Sequence, residues 1–131
     1  MPAASSSRSA AERPARTLER VLVTGASRGL GLAFARAYAE RGDRVFAACR
    51  DPGGAAELAA LARAHPDAIR VLALDVTDRE AIAAAAAVVA ADGDGGLDVL
   101  VNNAGASPRG ERFDNNRAAD MLDVLAVNTV A

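Results

Sequence analysis

Four short apolar runs alternate with stretches of helical spacing, and this alternation restricts the available folds more than any other feature of the chain. Arg20-Val21-Leu22-Val23-Thr24 reads as a strand buried on both faces. Arg44 to Cys49, Ile69 to Leu74 and Val99-Leu100-Val101 read as three more strands. After the first, Leu30, Ala33, Phe34, Ala37 and Tyr38 recur at helical spacing and predict one apolar face, with Arg36, Glu40 and Arg41 turned away and Gly42 as a left-handed stop. Ala55–Ala64, carrying Leu58, Leu61 and Ala62, predicts a second helix whose continuation Pro66 blocks. Thr77-Asp78-Arg79-Glu80 has capping-box spacing, and it opens an Ala-rich helix with Ile82, Ala86 and Val89 on one side. Asp92–Gly96 reads as a turn cluster. A loop over about Ala104–Asn116 leads to an amphipathic segment, Ala118–Val130, with Met121, Leu122, Leu125 and Val127 apolar, and the chain ends within it.

Strands alternating with helices imply parallel β-α-β units joined by right-handed crossovers. The expected fold class is therefore α/β, a doubly wound parallel sheet of the Rossmann type. Residues 18–131 would supply its first four β-α units, truncated after the start of the helix that follows strand 4. Residues 1–17, rich in Ser, Ala, Pro and Arg without apolar period, read as a flexible tail. In such sheets ligands bind beyond the carboxyl ends of the strands, where strand order reverses. Chemistry is thus expected just after Val23, Cys49, Leu74 and Val101.

Composition removes several alternatives. Aromatic residues are 3% of the chain and the net charge is −2, so neither a stacking platform nor a basic field for nucleic acid is expected. The single cysteine, Cys49, allows no internal disulfide and no zinc cluster. No stretch approaches the ~18 apolar residues of a membrane span, and the tail lacks the apolar core of a secretory signal, so a cytoplasmic location is expected. All 15 basic residues are arginine, so no mechanism that needs a lysine runs on these residues.

Thr24-Gly25-Ala26-Ser27-Arg28-Gly29-Leu30-Gly31 joins the first strand to the first helix. Gly25 suits a tight exit with positive φ, Gly29 lets the backbone approach a pyrophosphate, and Gly31 lets the helix pack against the sheet. The amides and positive end of the helix would hold phosphates. The alternative is a purely structural glycine turn, which the strand–turn–helix context disfavours.

This T-G-x-x-x-G-x-G spacing resembles the short-chain dehydrogenase/reductase superfamily, and three further motifs agree in order and position. Asp75-Val76 follows the third strand, where the family's Asp bonds the adenine amino group. Asn102-Asn103-Ala104-Gly105 follows the fourth and is similar to the family's N-N-A-G, which supports the sheet and borders the ribose. Val127-Asn128-Thr129 resembles the segment that carries the catalytic Asn. Ala48-Cys49-Arg50-Asp51-Pro52 resembles the branch of carbonyl reductases and C-factor-like proteins. The resemblance implies cofactor contacts from Thr24, Gly25, Ser27, Arg28, Gly29, Leu30, Gly31, Arg50, Asp75, Val76, Asn102, Asn103, Ala104 and Gly105, with Asn128 catalytic. Taken singly, each motif has a plainer reading: Asp75 as a turn cap before Thr77, Asn102 and Asn103 as strand-end turn residues, Asn128 as a solvated helix position.

Charge at the tip of the second strand bears on the choice of dinucleotide. An acidic residue there would bond both ribose hydroxyls, but the position is the neutral Cys49, followed by Arg50. Arg28 in the glycine loop can flank the same place, and two guanidinium forks suit a dianionic 2′-phosphate, so NADP(H) is expected over NAD(H). Asp51 is the counter-candidate, although Pro52 after it favours a turn. His65 has no ligating partner at useful spacing, Cys49 reads as a buried inert thiol, and Tyr38 belongs to a packed helical stripe.

The family resemblance further implies a Ser and a Tyr-x-x-x-Lys beyond Asn128, a small carbonyl or alcohol substrate, and a homodimer or homotetramer. With these 131 residues lacking that Ser and Tyr-x-x-x-Lys, the expectation is a cofactor-binding half that does not catalyse hydride transfer by itself. The competing expectation is a naturally short, non-catalytic nucleotide-binding or interaction module.

Overall fold

The computed structural model describes residues 17–93, 95–105, 119, 122 and 126–130. The tail to residue 16, most of the loop after Gly105, and Met121 and Leu125 lie outside the described residues. Four strands form the sheet: β1 (Arg20–Val23), β2 (Arg44–Cys49), β3 (Ile69–Ala73) and β4 (Val99–Val101). Between them run α1 (Gly29–Glu40), α2 (Ala56–Ala64) and α3 (Arg79–Ala91), with a 3-10 turn at Pro52–Gly54 and a π-helical turn at Ala126–Val130. All the pairings are parallel and the strand order is β3-β2-β1-β4. The chain moves outward from β1 to β3, then crosses back to place β4 beside β1. Strand order therefore reverses between β1 and β4, and the doubly wound α/β sheet expected from the alternation is present.

Successive residues of a strand face opposite sides, so each strand feeds two cores. Val21, Val23, Val45, Ala47 and Cys49 pack with Leu58 and Leu61 of α2 and with Leu32, Ala35 and Ala39 of α1. Leu22, Phe46, Ala48, Leu72 and Leu74 pack with Ala85 and Val89 of α3. α1 ends as its glycine predicts: Gly42 has φ +88°, and Asp43 N–H donates back to Tyr38 O.

The buried faces of α1 and α3 differ from those expected. In α1 the buried residues are Gly31, Leu32, Ala35 and Ala39; Leu30 is 65% exposed, Ala33 and Ala37 are exposed, and Phe34 and Tyr38 are only half-buried. The small residues Ala35 and Ala39 let the helix axis lie close to the sheet, so the large side chains straddle its flanks. In α3, Ala85 and Val89 are buried while Ile82 and Ala86 are exposed. The capping box is not formed either. Asp78 is the N-cap, its carboxylate accepting from Glu80 N–H at 2.9 Å and Ala81 N–H at 3.3 Å. A carboxylate at this position also meets the positive end of the helix, which outweighs a neutral hydroxyl one residue earlier.

The end of the sheet where the strands start is closed by charge. Asp92, just past α3, accepts from Arg44 Nε at 2.9 Å and Nη2 at 2.5 Å and from Arg70 Nη1 at 3.4 Å. Arg20 Nη1 stands 3.7 Å from the same carboxylate, while its other groups donate to Val89 O at 2.6 Å and Gly96 O at 2.9 Å. The guanidiniums of Arg20 and Arg44 lie over Phe46, 5.3 and 5.6 Å from the ring centre. One carboxylate thus joins the starts of three strands to the end of α3. Among the described residues no helix is long and apolar enough to cross a membrane.

The Arg44 hydrogen bonds hold the Asp92 carboxyl at about 2, below its ordinary 3.8. Its stabilising contribution is fully present above about pH 4 and is lost as pH falls through the folded value. Asp92→Asn is expected to lower the unfolding free energy at pH 7 by about 2 kcal/mol. Between pH 4 and 2 the loss of stability should be steeper in the parent than in the variant, as urea titrations across that range would show.

Candidate functional site

Thr24 leaves β1 buried, and its hydroxyl organises the loop. Thr24 N–H donates to Val101 O at 3.1 Å, extending the β1–β4 ladder by one bond. Thr24 Oγ1 accepts from Asn103 N–H at 3.0 Å and Ala104 N–H at 2.9 Å, and donates to Val101 O at 3.3 Å. Asn103 Nδ2 donates in return to Thr24 O at 3.1 Å and Gly25 O at 3.2 Å. Ala26 N–H reaches Ala48 O at 2.9 Å, which ties the same loop to β2.

This network brings the loop so close to Ala104 that Gly25 has no room for a side chain. Its φ is +64°, and a Cβ there would stand 2.9 Å from Ala104 Cα. At Gly31 a Cβ would come 2.1 Å from Gly25 O and 2.5 Å from Asn103 Nδ2. The glycine expected to admit the sheet instead admits the loop's own carbonyl. Gly29 has φ +57° and open space beyond its Cα. α1 starts at this residue with extended backbone at Arg28, no side-chain cap and no acidic residue in its first turn. Neither a cap nor an acidic residue of its own first turn therefore compensates the positive end of the helix.

A cavity of about 280 Å³ lies over the carboxyl ends of the strands. Gly25, Ser27, Arg28 and Gly29 line it from the loop, Cys49 from the end of β2 and Arg50 just past it, Asp75 and Val76 from the turn after β3, and Ala104 and Gly105 from beyond β4. A second space of about 560 Å³ shares Ser27, Arg28, Cys49 and Arg50 and extends to Asp51 and Glu57. A third, of about 410 Å³, lies on the other side of Ala104 and takes in Thr24, Asn102 and Asn128. The Asn128 carboxamide oxygen would stand 3.2 Å from a Cβ at Gly105.

The residues singled out from the sequence are thus gathered at one end of the sheet, with three distinctions. Gly31 is buried beneath the loop and lines none of the cavities. Leu30 is exposed and lines none of these three cavities, and Asn103 acts as a tie between strand ends. Asp75 faces the first cavity with its carboxyl held below the usual range, chiefly by hydrogen bonds from Thr77 and further by the positive charge of Arg50. Cys49 is buried, and desolvation with the nearby Asp51 charge pushes its thiol up, in keeping with an inert thiol. The plainer reading of Asp75 as a turn cap before Thr77 agrees with the Thr77 N–H bond to Asp75 Oδ1 at 2.9 Å; what it left out is the second bond to that oxygen, from the Thr77 hydroxyl at 2.6 Å.

Comparison with known proteins agrees with this arrangement. The family model for short chain dehydrogenases matches residues 19–131. A short-chain dehydrogenase/reductase of Pestalotiopsis microspora is 43% identical over 108 residues, 79% of this chain and 36% of that protein. The D-threitol dehydrogenase of Mycolicibacterium smegmatis is 46% identical over 84 residues, 64% of this chain and 32% of that protein. Among solved structures, NADPH-bound carbonyl reductase from chicken fatty liver superposes with a TM-score of 0.75 at 43% identity, covering 88% of this chain and 47% of that one. The chain belongs to the short-chain dehydrogenase/reductase family. It spans 36% and 32% of the lengths of these two relatives.

The tight fit at Gly31 sets two effects against each other. Alanine is favoured over glycine inside a helix by about 1 kcal/mol. Overpacking against backbone, which cannot swing aside, costs typically about 1–3 kcal/mol or more. Gly31→Ala is accordingly expected to destabilise the fold, measured as a lower urea midpoint at unchanged slope.

Proposed function

We propose that this chain is the cofactor-binding half of an NADP(H)-dependent oxidoreductase that reduces a carbonyl or oxidises an alcohol. Residues 18–131 form its dinucleotide domain, and the complete protein is a cytoplasmic homodimer or homotetramer acting on a small molecule. The loop fits a pyrophosphate: open space faces Gly29, the start of α1 carries no cap, and Ser27 and Arg28 line the same cavity. In this reading Thr24 and Asn103 hold the cradle closed, and Asn102, Ala104 and Gly105 border the ribose. Asp75 and Val76 border the adenine. When bound, the dinucleotide supplies or accepts hydride. Asn128, close to Gly105, takes the catalytic place in the third cavity.

The observation that carries the cofactor choice is the shared wall of the first two cavities. Arg28 and Arg50 both stand there, beside the neutral Cys49 at the tip of β2. Asp51 lines only the second, and its carboxylate is folded onto the Pro52–Gly54 turn, 2.7 Å from where a Gly54 Cβ would lie. Two guanidiniums suit a 2′-phosphate dianion and give a plain ribose nothing comparable. The carbonyl reductase with NADPH bound supports the same choice.

Calorimetric titration is expected to show tighter binding of NADPH than of NADH. Arg50→Asp removes one charge-assisted partner, typically worth about 1.5–3 kcal/mol, and should weaken NADPH by about tenfold or more while leaving NADH little changed. Equal affinity for the two cofactors in the parent protein would overturn the assignment.

A further inference from the structure

Thr77 stands just past the cavity, and its hydroxyl is not used to cap α3, since Asp78 does that. Instead Thr77 Oγ1 donates to Asp75 Oδ1 at 2.6 Å, and Thr77 N–H donates to the same oxygen at 2.9 Å. Asp78 N–H closes the turn on Asp75 O at 3.0 Å. Both side-chain torsions of Asp75 are thereby restrained, although the residue is only half-buried. With Oδ1 committed twice, Oδ2 is the oxygen that takes no hydrogen bond among the described residues. The bonds also favour the ionised carboxylate, a pure acceptor.

We propose that Thr77 is a positioning residue for base recognition: it locks Asp75 so that Oδ2 is presented to an exocyclic amino group. The inference rests on the adenine-side reading of Asp75 given above, and goes beyond it by assigning the discrimination to a residue that does not itself line the cavity. An unrestrained aspartate would meet the same donor only after losing rotamer freedom on binding, and it would protonate at higher pH. Replacing the hydroxyl therefore changes selectivity for the base, and leaves the phosphate cradle untouched.

The test uses NADPH and its hypoxanthine analogue, in which a carbonyl oxygen replaces the adenine amino group, titrated calorimetrically into the parent protein, Thr77→Val and Thr77→Ser. The parent is expected to prefer the adenine cofactor. Thr77→Val should weaken NADPH by about five- to tenfold with the analogue changed by less than about twofold, and Thr77→Ser should behave as the parent. The loss of NADPH affinity on acidification should also begin at higher pH in Thr77→Val. Unchanged analogue binding serves as the folding control. A Thr77→Val protein that discriminates as the parent does, with the same pH profile, overturns the role of Thr77 alone. No discrimination in the parent overturns the adenine reading of Asp75, and the proposal with it. Equal loss for both cofactors in Thr77→Val would make the residue merely structural and overturn the proposal as well.

Discussion

The buried hydroxyl of Thr24 is the contact on which the cavity's geometry depends. It accepts two backbone amides from the segment after β4 and reaches the last carbonyl of that strand, so two strand ends that diverge by sheet twist are held together. A buried amide without a partner costs about 1–3 kcal/mol; here one oxygen takes both amides, and Asn103 N–H has Val101 O at 3.0 Å as a second acceptor. The close approach that results forces glycine at position 25 and brings Gly25 O under α1. The start of α1, and with it the cavity floor, follows from that approach. Asn103 completes the tie from the opposite side.

The two ends of the sheet are finished in opposite ways. Where the strands begin, Asp92 gathers Arg20, Arg44 and Arg70, and backbone carbonyls take up most of the remaining guanidinium donors. That end is closed and electrostatically satisfied. Where the strands finish, glycines, amides and two arginines surround open space, and Asp75 is the carboxylate bordering the first cavity. Stability is concentrated at one end, which leaves the other able to present charge and backbone donors to an anion.

Much of this was legible in the chain because it is local. Alternating apolar runs give the strands, and a glycine loop between strand and helix needs no distant information. Three of the four motifs also fall where strands end, so most of the candidate site could be assembled without knowing the sheet order. What escaped reading depends on contacts across the fold. The apolar spacing of α1 pointed to Leu30 and Phe34, yet a stripe of small residues decides how a helix seats on a sheet. At Thr77-Asp78 two adjacent side chains competed for the helix start, and position alone did not say which would cap. Asp92 looked like an ordinary turn residue because its three arginines come from 22, 48 and 72 positions away.

The glycines of the loop differ in what compels them. Gly25 and Gly31 are held by the protein itself, since backbone atoms already occupy the space a side chain would need. Gly29 meets no such obstacle: its left-handed backbone is one that asparagine also tolerates, and the volume in front of it belongs to no residue. A side chain at 25 or 31 would therefore collide with the fold itself, whereas one at 29 would meet only the strain of its own backbone and whatever enters the cavity from outside.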